Sequence, residues 1–310
     1  MSKIAFVFPG QGSQYLGMGK EVADNYPVAQ KVFDEADNVL GRKISELCFS
    51  GPEDSLKDTR NAQPAIVTTS IAILKALAEE GLKADFVAGH SLGEYSALIA
   101  SGSFSAAEGL KLVDTRSKLM AEADPEQQGT MAAVLGVERE TLTGYLTEVS
   151  QVGLVEAANF NCPGQIVVSG AKNGIAKLQD LLAEKGGKMI PLAVSGAFHS
   201  SFMKKAAEAF RPALEAVQWK EPSPTLIANV SAGPVSKDAL TDSLYRQIFS
   251  AVLWEDTINY LKDQGVTTFV EVGPGKVLSG LVKKTFKEAT IVNCQDLTSI
   301  KKALAIFREV

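Results

Sequence analysis

Residues 85–93 read Asp85-Phe86-Val87-Ala88-Gly89-His90-Ser91-Leu92-Gly93, and Glu94–Ala100 continue with helical periodicity. A short apolar strand, a serine between two glycines and a helix make up the GxSxG elbow, which holds its serine strained and exposed above a sheet edge. The glycines are needed because a Cβ at either place would collide with neighbouring backbone. The helix N-terminus points the N–H of Leu92 toward an oxyanion developing beside Ser91. The plain alternative is a Gly/Ser turn into a helix capped by Ser91. Strand, elbow and helix together favour a nucleophile.

The elbow needs a sheet, and the flanking sequence supplies one. Ile4–Phe8, Phe86–Gly89, Leu226–Val230, Phe269–Val272 and Ile291–Cys294 are short apolar runs. Between them lie helical-period segments such as Ala65–Glu80, Leu92–Ala100 and Ala106–Ala123. This alternation predicts an α/β fold with a mainly parallel sheet covered on both faces.

The middle of the chain reads differently. Thr130–Val137, Val155–Phe160, Gln165–Ser169 and Met189–Val194 read as strands, with helices over Arg139–Val149 and Gly174–Lys185. That βαββαβ order is the ferredoxin-like unit. The polar stretch Asp124–Gly129 precedes it and Ser195-Gly196 ends it. The expected organisation is a discontinuous α/β domain, residues 1–126 and 196–310, with a small inserted subdomain at 127–195.

A serine hydroxyl is a weak nucleophile until a base takes its proton. The chain has only two histidines. His90 adjoins Ser91, and neighbouring side chains at an elbow diverge, so it takes a packing role. His199 lies in a loop, Gly196–Ser201, just past the last small-domain strand; loops on a rigid scaffold collect catalytic residues. His199 is therefore the expected general base. A third group should orient its imidazole, and no carboxylate between Ser91 and His199 stands out; a backbone carbonyl could serve instead.

Bulk properties narrow the function. The chain has 310 residues, 45% hydrophobic and 22% charged, enough for a sizeable core. A net charge of −5 gives no field for nucleic acid or an anionic membrane. No apolar run approaches the ~18 residues of a membrane helix, and the N-terminal run is too short for a secretory leader. Cys48, Cys162 and Cys294 are far apart, without metal spacing, which fits a reducing, cytoplasmic compartment. No cofactor or metal is expected.

In order along the chain stand Phe8-Pro9-Gly10-Gln11-Gly12-Ser13-Gln14, Gly89–Gly93, Asn159–Gln165, Ala197-Phe198-His199-Ser200 and Glu271-Val272-Gly273-Pro274-Gly275. This set resembles the malonyl-CoA:acyl carrier protein transacylases, the malonyl loaders of type II fatty acid synthesis. The resemblance implies an α/β-hydrolase-like core with a ferredoxin-like insert, and malonyl-CoA and holo-acyl carrier protein as partners. Oligomeric state is left open, with a monomer plausible.

The resemblance also implies roles. Ser91 would carry the malonyl ester with His199 as base, and the N–H groups of Gln11 and Leu92 would form the oxyanion hole. A phosphate loop at Gly10–Tyr15 fails because Tyr15 stands where GxGxxG needs its third glycine. Arg116 would hold the malonyl carboxylate, for which a guanidinium fork is suited. Gln247 would orient His199 through its main-chain carbonyl, although Ser250-Ala251 follow where relatives often have Asn-Pro. Phe198 resembles the malonyl-selecting members and would crowd an α-methyl group. Lys204-Lys205 and Lys283-Lys284 are candidates for meeting an acidic carrier protein, though such pairs are commonly ordinary solvated surface.

Two rivals share these residues. A serine thioesterase would pass the acyl group to water, and a silent carrier-binding module would form no ester at all. Loading of a polyketide carrier protein would keep the chemistry and change the pathway.

Overall fold

The computed structural model describes residues 3–194 and 196–308. Ser195, the expected end of the insert, and the extreme termini lie outside the described residues. Strands β1 (Lys3–Phe8) and β2 (Phe86–Gly89) precede β3 (Gly129–Leu135), β4 (Val155–Cys162), β5 (Gln165–Ala171) and β6 (Lys188–Pro191). Strands β7 (Thr225–Ile227), β8 (Val252–Leu253), β9 (Val266–Val272) and β10 (Thr290–Cys294) follow.

Two sheets result. The first has the order β10-β9-β1-β2-β7, and every pairing in it is parallel. Its central strand β1 is an unbroken apolar run because both faces are covered. Phe6 and Phe8 enter one hydrophobic cluster while Ala5 and Val7 enter another on the opposite face. The second sheet has the order β6-β3-β5-β4-β8. Its first four strands are antiparallel neighbours, and β8, from far later in the chain, pairs parallel to β4. One face covers its own cluster with Ala132, Val134, Ile166 and Val168. The other turns Met131, Ala133 and Val167 into the large core that also holds Phe198.

Several expected elements differ in extent, and three of the differences bear on the site or its support. The helix expected from Ala65 begins at Thr59 and runs to Glu79, with Pro64 inside it. Proline has no N–H to give the preceding turn. The carbonyl of Arg60, four residues back, instead accepts from Nη2 of Arg42 at 2.8 Å, and Asp58 caps the helix start through Arg60 N–H. The strand expected through Val230 stops at Ile227, because Asn229 leaves the ladder to bond the elbow. The strand expected through Val194 stops at Pro191; Leu192 N–H still reaches Met131 O, and Val194 N–H then turns back to Leu192 O instead of extending the ladder.

Among the described residues no helix is long and apolar enough to cross a membrane.

Candidate active site

Ser91 sits at φ 49°, in the left-handed region that a residue with a side chain rarely occupies. The flanking glycines make this possible. A Cβ on Gly89 would lie 1.9 Å from the Gly93 carbonyl carbon, and one on Gly93 would lie 2.0 Å from the Phe8 carbonyl oxygen. The helix Gly93–Ala100 is thus pressed against the ends of β1 and β2. Asn229 pins the turn: its Nδ2 donates to Gly89 O at 2.6 Å, and its Oδ1 accepts from Ser91 N–H at 2.7 Å.

His199 also has a positive φ, 57°. Its loop is tied down by Ser200, whose hydroxyl donates to Ala197 O, and by Glu156 of β4, which accepts from both N–H and Oγ–H of Ser201. The imidazole is buried, with Nε2 2.7 Å from Ser91 Oγ and Nδ1 2.9 Å from the main-chain carbonyl oxygen of Gln247. A carbonyl can only accept, so Nδ1 carries the hydrogen and Nε2 presents its lone pair to the Ser91 hydroxyl. Burial, then the charge of Arg116, push this imidazole down to about 3. It is neutral in the resting site.

Arg116 lies on the helix Ala106–Glu122, started by a capping box between Ser105 and Glu108. Its side chain is 1% exposed. Nη1 donates to Gln63 Oε1 at 2.7 Å, and Nη2 donates to Gln247 Oε1 at 3.1 Å and to Ser91 Oγ at 3.2 Å. Nε has no hydrogen-bond partner among the described residues. All three acceptors are neutral, so the guanidinium keeps its charge free. The Tyr95 ring lies 5.4 Å from it.

These groups open onto a cavity of about 420 Å³. Gln11, Ser91, Leu92 and Arg116 line it from the first sheet's side, with Phe198 and His199 from the loop after the second sheet. Met131, Asn159 and Leu192 face them from the second sheet's side. The N–H groups of Gln11 and Leu92 are engaged by no acceptor among the described residues, while the Gln11 side chain is held by Thr59 Oγ1 at 3.0 Å. A second cavity of about 190 Å³ adjoins the first through Gln11, His90, Asn159 and Leu192. His90 turns away from Ser91: its Nε2 meets Asn161 Oδ1 at 2.8 Å and its ring stands edge-on to Trp254.

All seven residues singled out in the sequence therefore border one space or, for Gln247, directly support it. Three others were not singled out. Gln63 sits on a helix predicted to begin two residues later. Asn229 falls in the run Leu226–Val230 read as a strand, and Glu94 enters only as the first residue of the helix after the elbow. Only a fold that brings residues 63, 94, 229 and 247 together reveals their pairing.

Known proteins share this fold and much of this sequence. The family profile described as acyl transferase domain matches residues 5–306. A malonyl CoA-acyl carrier protein transacylase of Bacillus subtilis (strain 168) is 48% identical over 312 residues, covering 100% of this chain and 98% of the relative. The crystal structure of a malonyl CoA-acyl carrier protein transacylase from Clostridium perfringens superposes with a TM-score of 0.97 at 42% identity, covering 99% of this chain and 98% of that one. A malonyl-transacylase solved in complex with its type II PKS acyl-carrier protein gives 0.95 at 38% identity, covering 98% of this chain and 100% of that one. The chain belongs to the acyl transferase family and, within it, to the malonyl CoA-acyl carrier protein transacylases.

Proposed function

We propose that this enzyme moves malonyl from malonyl-CoA to the phosphopantetheine thiol of acyl carrier protein, through a malonyl ester on Ser91, for fatty acid synthesis. One observation carries the reading: Ser91 Oγ lies between His199 Nε2 at 2.7 Å and Arg116 Nη2 at 3.2 Å. A base and a free cation at one hydroxyl suit an acyl donor that bears its own carboxylate.

In the first step the Ser91 hydroxyl attacks the thioester carbonyl and His199 Nε2 takes its proton. The oxyanion of the tetrahedral intermediate takes the N–H groups of Gln11 and Leu92. The carbon–sulfur bond breaks, the sulfur of CoA receives the proton from His199, and malonyl-Ser91 remains. In the second step the carrier thiol gives its proton to His199 and attacks the ester. The carbon–oxygen bond breaks and Ser91 recovers the proton. The Gln247 carbonyl stabilises the imidazolium that forms in each half. Arg116, whose guanidinium borders the cavity, receives the malonyl carboxylate, for which its fork is suited. Phe198 narrows the space for a substituent on the malonyl α-carbon. The thioester supplies the activated acyl group, so the chemistry asks for no cofactor, and ping-pong kinetics follow from the ester.

Residues 1–126 and 196–310 form the catalytic unit in this reading, with 127–195 as the inserted subdomain that closes the cavity. Three buried free cysteines support a reducing, cytoplasmic setting. Lys283 and Lys284 are exposed at the end of the helix Val277–Thr285, whose Val277, Leu278 and Leu281 line the second cavity. Like the exposed Lys204 and Lys205, they are candidates for meeting an acidic carrier protein.

Intact-mass measurement tests the function. Malonyl-CoA alone should add one malonyl group to the protein, and holo-acyl carrier protein should then remove it and gain it. Release of free malonate with no malonyl-carrier product would make the protein a thioesterase. No adduct at all would leave the binding-module reading.

A further inference from the structure

Glu94 is a fully buried carboxylate that the transfer mechanism leaves unused. It stands in the first turn of the helix after the elbow. Its Oε2 accepts from Gln247 Nε2 at 2.7 Å and from Asn229 N–H at 3.4 Å, while Oε1 has no partner among the described residues. Gln247 is the node of the site. Its main-chain oxygen holds His199, its Oε1 accepts from Arg116 at 3.1 Å, and its Nε2 also donates to Ser91 O at 2.9 Å.

Both amide protons of Gln247 are thus used, one by Ser91 O and one by Glu94. In the flipped amide, Nε2 would face the Arg116 donor while Oε1 faced two acceptors. Without Glu94 one buried amide proton would have no acceptor, a loss that drives such a group to rotate or to admit water. Arg116 would then lose a partner that fixes its fork. Glu94 also achieves this at one remove. A carboxylate set directly on Arg116 would form a salt bridge and compete with the substrate's own carboxylate.

We infer that Glu94 is a positioning residue for acyl selection: by taking the second amide proton of Gln247 it keeps Oε1 of that amide on Arg116, and so keeps the guanidinium aimed at a carboxylate-bearing acyl group. This rests on the reading of Arg116 as the carboxylate's partner. A substitution that removes the acceptor therefore damages malonyl transfer more than acetyl transfer, whereas a general loss of folding damages both alike.

The experiment compares malonyl-CoA and acetyl-CoA as donors to Ser91 in the full chain, with thermal unfolding alongside. Glu94→Met, apolar and unbranched, should lower malonyl relative to acetyl transfer by roughly tenfold or more, the loss of a hydrogen bond to a charged group. Glu94→Gln keeps an acceptor oxygen, and because burial already pushes the Glu94 carboxyl up to about 7 the site also accommodates an uncharged group. It should restore the malonyl preference. An unchanged malonyl-to-acetyl ratio in Glu94→Met overturns the inference, as does an equal loss in Glu94→Gln. If Glu94→Met does not fold, Glu94→Asp withdraws the oxygens by one carbon, and an unchanged ratio there overturns it equally. Arg116→Ala, measured beside them, separates two failures. If it lowers both donors alike, the arginine reading falls and this inference with it; if it discriminates and the Glu94 variants do not, only this inference falls.

Discussion

The main-chain carbonyl of Gln247 accepts the Nδ1 hydrogen of His199 at 2.9 Å, where many serine enzymes place a carboxylate. A neutral acceptor fixes the tautomer without adding a buried charge beside Arg116. Arg116 and the ionisable Glu94 already share this low-dielectric space, and a further carboxylate on the histidine would pair with the guanidinium that the substrate needs.

His199→Ala should therefore lower kcat by about 10²- to 10⁴-fold, the usual worth of a general base. Gln247→Ala keeps the carbonyl and removes only the side chain. Its main effect should fall on the KM for malonyl-CoA, with kcat reduced less than in His199→Ala. Steady-state kinetics of both variants check this, and an equal collapse of kcat in the two would count against orientation by the carbonyl.

Arg116→Ala should cost malonyl transfer roughly 10- to 100-fold, since a charged hydrogen-bonded pair is lost, and should cost acetyl transfer far less. Competition between the two donors for Ser91, read by intact mass, measures the ratio directly. Equal losses would mean that Arg116 serves Ser91 rather than the acyl carboxylate.

Some of this design is legible along the chain, and the limit is physical. The elbow is legible because its strand, turn and helix are contiguous in the chain, and Gly89 answers a contact within that turn, although Gly93 answers Phe8 of a different strand. The pair of Ser91 with His199 is legible by elimination, because the chain has only two histidines. Burial of Arg116 is not, because nothing in its own helix distinguishes it from a solvated arginine; the family resemblance alone picked it out. The Glu94, Gln247 and Asn229 network spans up to 153 residues of separation. Hydrogen bonds over that distance leave no periodicity to read. The helix Thr59–Glu79 begins six residues before the expected Ala65, and the carbonyl that its internal Pro64 leaves without a partner is satisfied by Arg42 from another part of the chain.

Gly93→Ala tests the elbow. Its new methyl would sit 2.0 Å from the Phe8 carbonyl oxygen, closer than any backbone can tolerate. The helix would have to move off β1, and the expected result is a fall in stability of about 1–3 kcal/mol or more with loss of Ser91 acylation. Thermal unfolding with malonyl labelling reads both. A variant of wild-type stability and labelling would show that the turn relaxes without cost.

Phe198 is 6% exposed and lines the cavity beside His199. Phe198→Ser should open room next to the acyl chain and raise methylmalonyl relative to malonyl transfer by at most about 10- to 200-fold, the range open to a single methyl group. Parallel kcat/KM values for the two donors decide it; no change in their ratio would assign the exclusion of a methyl group to another wall.

The pH dependence follows from two buried groups shifted in opposite senses. His199 faces Arg116 and His90, and burial with the arginine's charge pushes it down to about 3. The neutral imidazole, which accepts the proton, thus persists below the ordinary histidine value of about 6.5. Its contribution to native stability is present above about 6.5 and is lost as pH falls toward 3. Glu94 faces Arg116 and Tyr95, and burial pushes its carboxyl up to about 7. Its contribution is fully present below the unfolded carboxylate value of about 4.3 and is lost as pH rises through about 7. Between about pH 5 and 8, kcat/KM for malonyl-CoA should then show no acid limb at 6.5, and any inflection near 7 should belong to Glu94. Measured across that range, Glu94→Gln should flatten the inflection and leave the acid side unchanged. An acid limb centred at 6.5 that survives in Glu94→Gln would show that His199 titrates as an exposed histidine does, and that the desolvation argued for its site is wrong.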